Sequence, residues 1–162
     1  MVELHPPVYS DCLVLAQMLN TDKTLRYDLG IDTGFQTNAI ATLEFFREWC
    51  QTRKAMLYVI LADKVVVGTL SLASIDHVNH TASVGYWIGS SFRRKGYCTH
   101  AFDQMIQLAR RIGLHQVNAR IHWDNVPSIR LWEHHNASCF DDTDEHDLYV
   151  LNLAPVTETG TA

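Results

Sequence analysis

Apolar and polar positions along this chain change their period several times, and each change marks an element. Residues 2–4 predict a short strand, ended by Pro6-Pro7. Leu13, Ala16 and Met18 or Leu19 then recur at helical spacing, with Ser10 or Asp11 placed to cap the helix. The stretch 21–38 is polar, contains glycine and carries Tyr27 and Phe35, so it reads as irregular or partly helical. A second helix is predicted over 39–53, with Leu43, Phe46 and Cys50 on one side. The segments 55–62 and 65–73 are rich in β-branched residues and flank Asp63-Lys64, a two-residue hairpin turn. Residues 81–88 alternate, placing Ala82, Val84, Tyr86 and Ile88 on one face and Thr81, Ser83, Gly85 and Trp87 on the other. Gly85 in mid-strand predicts a bulge or a close backbone approach.

A helix over 95–111 follows, with Ala101, Phe102, Met105, Ile106, Leu108, Ala109 and Ile112 on its apolar side and Gly113 as its stop. The strand at 116–123 completes a strand–helix–strand unit, which implies parallel neighbours. Asp124 or Asn125, then Pro127, opens a short helix to His135, and Asn136 suits its left-handed terminus. Strands at 138–141 and 146–153 form a hairpin around an acidic turn. These elements make a mixed α/β sheet within one domain, 1–156, followed by a small polar tail at 157–162.

The most informative junction is the strand at 84–88 with the cationic turn Arg93-Arg94-Lys95-Gly96 and the helix behind it. Cations are disfavoured beside the positive end of a helix by roughly 0.3–1 kcal/mol each at exposed sites. Three of them there imply an arriving anion, and the free N–H groups of a helix start bind phosphate well. Gly96 permits close backbone approach.

The 162 residues carry a net charge of −5, which argues against broad binding to nucleic-acid backbone and makes the basic cluster local. Cys12, Cys50, Cys98 and Cys139 are scattered without a C-x-x-C pair, as expected of thiols in a reducing compartment. No apolar stretch approaches bilayer length, so no membrane partner and a cytoplasmic location are expected. The histidines, including His77 with His80 and His134 with His135, form no recognised ligand set, and no metal is expected.

With these elements in order, the chain resembles the GNAT superfamily of acyl-coenzyme A N-acyltransferases, and within it the ribosomal-protein alanine N-acetyltransferase branch typified by RimJ and RimL. The likeness covers nearly the whole chain and is strongest over 65–140. Arg93-Arg94-Lys95-Gly96-Tyr97-Cys98 matches the coenzyme loop Q/R-x-x-G-x-G/A at Arg93 and Gly96, with Cys98 in place of the final small residue. Asn125-Val126-Pro127-Ser128 matches N-x-x-S, and Gly85-Tyr86-Trp87-Ile88 matches the G-Y-W-I strand end.

The resemblance implies a central, mostly antiparallel sheet, with helices on both faces and a parallel pair splayed at the acyl-CoA site. It further implies that the amides of Arg94, Gly96, Tyr97, Cys98 and Thr99 hold the pyrophosphate of acetyl-CoA, with the Arg93, Arg94 and Lys95 side chains beside the phosphates. The pantetheine arm would pair along Trp87 and Ile88, the thioester carbonyl would lie near the Tyr86–Trp87 amides, and Asn125 and Ser128 would bond the arm.

Acetyl transfer needs a neutral amine and donors for the oxyanion. Where many relatives place a glutamate base this chain has Ser83, and where many place a tyrosine acid it has Trp132. A lysine-type amine is only about 0.04% neutral at pH 7, whereas an α-amine is roughly 15% neutral. A chain without a strong base therefore suits an α-amino acceptor, a peptide N-terminus or small amine. Histidine as a class titrates near pH 6.5, which makes His122 the candidate base; His80 and Tyr149 are weaker candidates by topology. The alternatives are a non-catalytic acyl-CoA sensor, and acetylation of a cationic amine such as a polyamine or aminoglycoside drawn by Asp22, Asp28, Asp32, Asp142, Asp144 and Glu145. The protein is expected to act as a monomer or homodimer.

Overall fold

The computed structural model describes residues 1–154, so the tail expected at 157–162 lies outside the described residues. Seven strands form one sheet in the order β1-β2-β3-β4-β5-β7-β6. They are β1 Val2–His5, β2 Met56–Ala62, β3 Val65–Asp76, β4 Thr81–Ile88, β5 Gln116–His122, β6 Ser138–Asp141 and β7 His146–Asn152. Every neighbouring pair is antiparallel except β4 with β5. The helices are α1 Tyr9–Thr21, α2 Lys23–Asp28, α3 Ala39–Thr52, α4 Tyr97–Arg111 and α5 Val126–His134. Among the described residues, no helix is long and apolar enough to cross a membrane.

Strand alternation sorts the core into two faces. Ala82, Val84 and Ile88 of β4 pack with Val117, Ala119 and Ile121 of β5 against Phe102, Met105 and Ala109 of α4 and Trp132 of α5. On the opposite face Cys12 and Leu15 of α1 and Phe46 of α3 cover Val59 and Val66, with Trp87 packed at the margin. Asp63 and Lys64 both take positive φ, 47° and 68°, which matches the twist of a tight hairpin. Gly113 and Asn136 are left-handed just past α4 and α5, as read from the sequence.

Several expectations shift. The first helix is capped at Val8 rather than at Ser10 or Asp11. Asp11 sits one turn in, and its carboxylate accepts from the Val8 N–H at 2.9 Å and contacts His5 Nε2 at 2.9 Å. That anchor rotates the helix: Cys12, Leu15 and Ala16 face inward while Leu13 is 54% exposed. The stretch 21–38 is partly helical, as expected, and contains α2, begun by the Asp22 side chain accepting from Leu25 N–H. The long helix starts at Tyr97, two residues later than expected, because Gly96 at φ 78° is its N-cap.

No bulge occurs at Gly85, where the register with β3 runs unbroken from Gly68↔Ile88 to Ala73↔Ser83. It is a close approach instead, since a Cβ there would lie 3.1 Å from Ser71 Oγ. The irregularity sits at Gly68, where β2 skips Val67 between Ile60↔Gly68 and Leu61↔Val66. A Cβ on Gly68 would meet Trp87 O at 2.0 Å, so only glycine lets the end of β4 lie this close to β3.

Candidate active site

The parallel pairing of β4 and β5 lasts only from Thr81↔Gln116 to Ser83↔Asn118. Beyond Ser83 the two strands part, while each keeps its other neighbour, β3 and β7. Gly89 N–H donates to Val67 O at 2.8 Å, toward β3. Because backbone groups alternate sides along a strand, the N–H and C=O of Tyr86 and Ile88 turn the other way, into the opening. Trp87 thus turns its main chain to β3, opposite Thr69, and its side chain to the α1–α3 layer.

The loop from β4 to α4 is shaped for an anion. After a 3-10 turn at Ser90–Phe92, Arg94 and Gly96 both take positive φ, 62° and 78°. Alternating left-handed residues aim successive N–H groups into one concavity. Gly96 supplies no side-chain cap to α4, and the first turn holds no acid. The N–H groups of Tyr97, Cys98 and Thr99 precede the first bond across the cap, His100 N–H to Gly96 O at 3.1 Å. Arg94 and Lys95 are exposed beside them, Lys95 Nζ standing 6.0 Å from the Phe92 ring centre.

Arg93 is held differently from its neighbours. Its Nε donates to Ile88 O at 3.1 Å and its Nη1 pairs with Asp28 at 2.8 Å, so it fastens the end of β4 to α2. Asp22 makes a second tie, accepting from Ser90 N–H and Ser90 Oγ, both at 2.7 Å. Burial pushes the Asp22 carboxyl up, but the Ser90 and Leu25 hydrogen bonds and nearby Arg93 outweigh it and hold the group below its ordinary value. With Asp142, whose carboxylate pairs with Arg120 Nε at 2.7 Å, three of the acids considered as lures for a cationic substrate are therefore engaged within the fold.

From the α5 side, Asn125 caps the helix by accepting from Ser128 N–H at 3.4 Å. Ser128 is buried, its Oγ lies 2.6 Å from Tyr86 Oη, and Trp132 Nε1 donates to the same phenol at 3.3 Å. Burial pushes the Tyr86 phenol up to about 12, against the opposing pull of Ser128 and Trp132. Trp132 is fully buried, its ring edge-on to Phe102 at 5.1 Å. Burial also pushes the Cys98 thiol up to about 12.

Ser83 Oγ donates to Ala73 O at 3.2 Å at the last shared rung, so that hydroxyl is committed to the sheet. His122 lies at the C-terminal end of β5, as many residues beyond this rung as Trp87 is on β4, and on the same face. Its Nδ1 is 2.5 Å from Asp124 Oδ1, and the His146 ring stands perpendicular at 5.1 Å. His80 and Tyr149 do not join the opening. His80 stacks on His115 at 4.3 Å before the start of β4, and Tyr149 is 4% exposed in the α4-side core. Sequence reasoning missed the contributions of Gly68, Ser90 and the Trp132 N–H; of these only Gly68, isolated in a β-branched run, carried a signal.

Known proteins share this fold. The uncharacterized N-acetyltransferase p20 of Bacillus licheniformis is 31% identical over 67 residues, which span 41% of this chain and 38% of that protein. The chain thus matches about two fifths of that curated relative. RimJ of Mycobacterium smegmatis, solved with a coenzyme A disulfide, superposes with a TM-score of 0.76 at 20% identity, covering 93% of this chain and 81% of that one. RimL, the ribosomal L7/L12 α-N-protein acetyltransferase solved with coenzyme A, gives 0.75 at 20% identity, covering 94% of each chain. The family model for the acetyltransferase (GNAT) domain matches residues 2–137. A divided parallel pair, an uncapped helix behind a cationic loop and this match together establish that the chain belongs to the GNAT acetyltransferase family.

Proposed function

We propose that this protein transfers the acetyl group of acetyl-CoA to a primary amine, an α-amino group of a peptide N-terminus or small amine, by direct attack with both substrates bound. The observation that carries the reading is the adjacency of two features. The gap-facing main-chain groups of Tyr86 and Ile88 lead directly into a loop whose amides, from Arg94 through Thr99, meet no acid in the first turn of α4. A pantetheine arm supplies amides that extend β4 where β5 leaves it, and its diphosphate fills the α4 concavity. Arg94 and Lys95 then stand beside the phosphates. Arg93 serves this site by holding Ile88 in place.

On this reading the Tyr86 N–H donates to the thioester carbonyl, and to the oxyanion as nitrogen attacks. Ser83 acts through the sheet, since its hydroxyl is spent on Ala73 O. The base is His122. Asp124 holds the ring at Nδ1, through its carboxylate at 2.5 Å and its N–H at 3.3 Å, and no described residue bonds Nε2, which is left for the amine. Tyr86 points to the α4–α5 face and His122 to the other, so sulfur and amine are handled from opposite sides of the sheet. A covalent acetyl-cysteine route is disfavoured because the Cys98 thiol, raised to about 12, holds its proton at neutral pH.

Turnover of acetyl-CoA with a free N-terminal peptide, compared with its N-blocked, lysine-bearing counterpart, tests the reading. The free α-amine is expected to react at least tenfold faster at pH 7, given its far larger neutral fraction. A preference for lysine overturns the acceptor class, and binding of acetyl-CoA without any turnover reduces the protein to a sensor.

A further inference from the structure

Within the acetyl-transfer reading, we propose that Arg93 sets how deep the coenzyme arm lies along β4, and so confines the donor to a short acyl group. Two residues of the opening offer the same pair of main-chain groups. Tyr86 and Ile88 each turn an N–H and a C=O away from β3, and they stand two residues, about 7 Å, apart. An arm that pairs like a strand can therefore dock in either of two registers. In the inner register the thioester carbonyl takes the Tyr86 N–H, and the first arm amide donates to Tyr86 O. In the outer register the same two contacts fall on Ile88.

Arg93 removes this symmetry. Its Nε donates to Ile88 O at 3.1 Å, so the acceptor that the outer register requires is already engaged, whereas among the described residues no side chain bonds Tyr86 O. A charged donor holds a carbonyl more tightly than the neutral amide of an arm does. The carbonyl keeps a second lone pair, so the contact is a bias and not a bar. Nη1 is anchored to Asp28 Oδ2 at 2.8 Å, on α2, which keeps the guanidinium from swinging aside with the arm. Depth then limits the acyl group. Below Tyr86 the strands regain one ladder spacing, about 4.8 Å, at Ser83↔Asn118, and a chain lying between them needs about twice that. An arm held at Tyr86 thus leaves room for an acetyl group but not for a longer chain, which needs the outer register.

The test is the affinity of the protein for acetyl-CoA and for hexanoyl-CoA, measured by calorimetry, with wild type expected to prefer acetyl-CoA. Arg93→Met keeps an unbranched side chain without a donor. It should move the ratio of the two affinities about tenfold toward hexanoyl-CoA, the worth of one hydrogen bond to a charged group. Loss of the Arg93 charge beside the phosphates weakens both donors alike and cancels in that ratio. Asp28→Ala lies outside the opening and should move the ratio the same way by about threefold, so it carries the test if Arg93→Met does not fold. Asp22→Asn loosens the same loop but leaves Arg93 on Ile88 O, and its ratio should match wild type. A wild type that prefers hexanoyl-CoA, a ratio unmoved in the Arg93 and Asp28 variants, or one moved as far by Asp22→Asn overturns the proposal while the acetyl-transfer reading stands. A protein whose ratios move as expected but that acetylates no amine removes that reading and supports the proposal. No affinity for either donor removes both.

Discussion

At the scale of single residues, Gly68 shows how little chemistry is needed to shape a site. It touches no substrate, yet a methyl group there would meet the Trp87 carbonyl at 2.0 Å, and backbone cannot yield as a side-chain tip can. Gly68→Ala is expected to lose at least about 2 kcal/mol in urea denaturation and to raise KM for acetyl-CoA, because the strain falls on the β4 residues that face the opening. A variant as stable as wild type would show that β4 can shift freely. The sequence offers two isolated glycines in strands, Gly68 and Gly85, and the expectation of a bulge or a close approach fell on the second, where only the close approach occurs. Composition cannot separate them; what differs is the partner, a carbonyl oxygen for one and the Ser71 hydroxyl at 3.1 Å for the other. Trp132 was legible as a departure from an acidic tyrosine, but its link to Tyr86 needed the third dimension.

At the scale of elements, α4 carries an unresolved tension of its own. Its N-terminus has no side-chain cap and no acid in the first turn, and Arg94 and Lys95 stand exposed in front of it. Replacing Lys95 with Gln should therefore stabilise the unliganded protein by about 0.3–1 kcal/mol while weakening coenzyme A, two opposite movements of Tm with and without ligand. A drop in both would mean that Lys95 supports the fold itself. The period of α4 was plain in the sequence because it pits a buried face against a wet one, and that of β4 because Thr81, Ser83 and Gly85 alternate with buried apolar residues. The phase of α1 was not, since Val8 is no capping residue and the carboxylate that closes the turn comes from Asp11.

At the scale of the whole molecule, Asp22–Ser90 and Asp28–Arg93 tie the 21–38 region to the loop behind β4. No periodicity announces such ties, because they join residues far apart along the chain. The Asp22 carboxyl is held below its ordinary value, so its contribution is complete above about pH 4 and fades only as pH falls through the lowered value. The Ser90 amide resonance should accordingly stay fixed from neutral pH to about pH 4 and move below it, and Asp22→Asn should abolish that movement; a step near pH 6 would contradict the assignment. The brief contact between β4 and β5, ending at Ser83↔Asn118, divides the sheet into a four-stranded and a three-stranded wing. Open edges in a sheet ordinarily invite other chains. Here the edge, claimed only where Arg93 reaches Ile88 O, faces inward, where a small molecule can serve as the missing strand, and coenzyme should slow hydrogen exchange at the Tyr86 and Ile88 amides as it stitches the wings together.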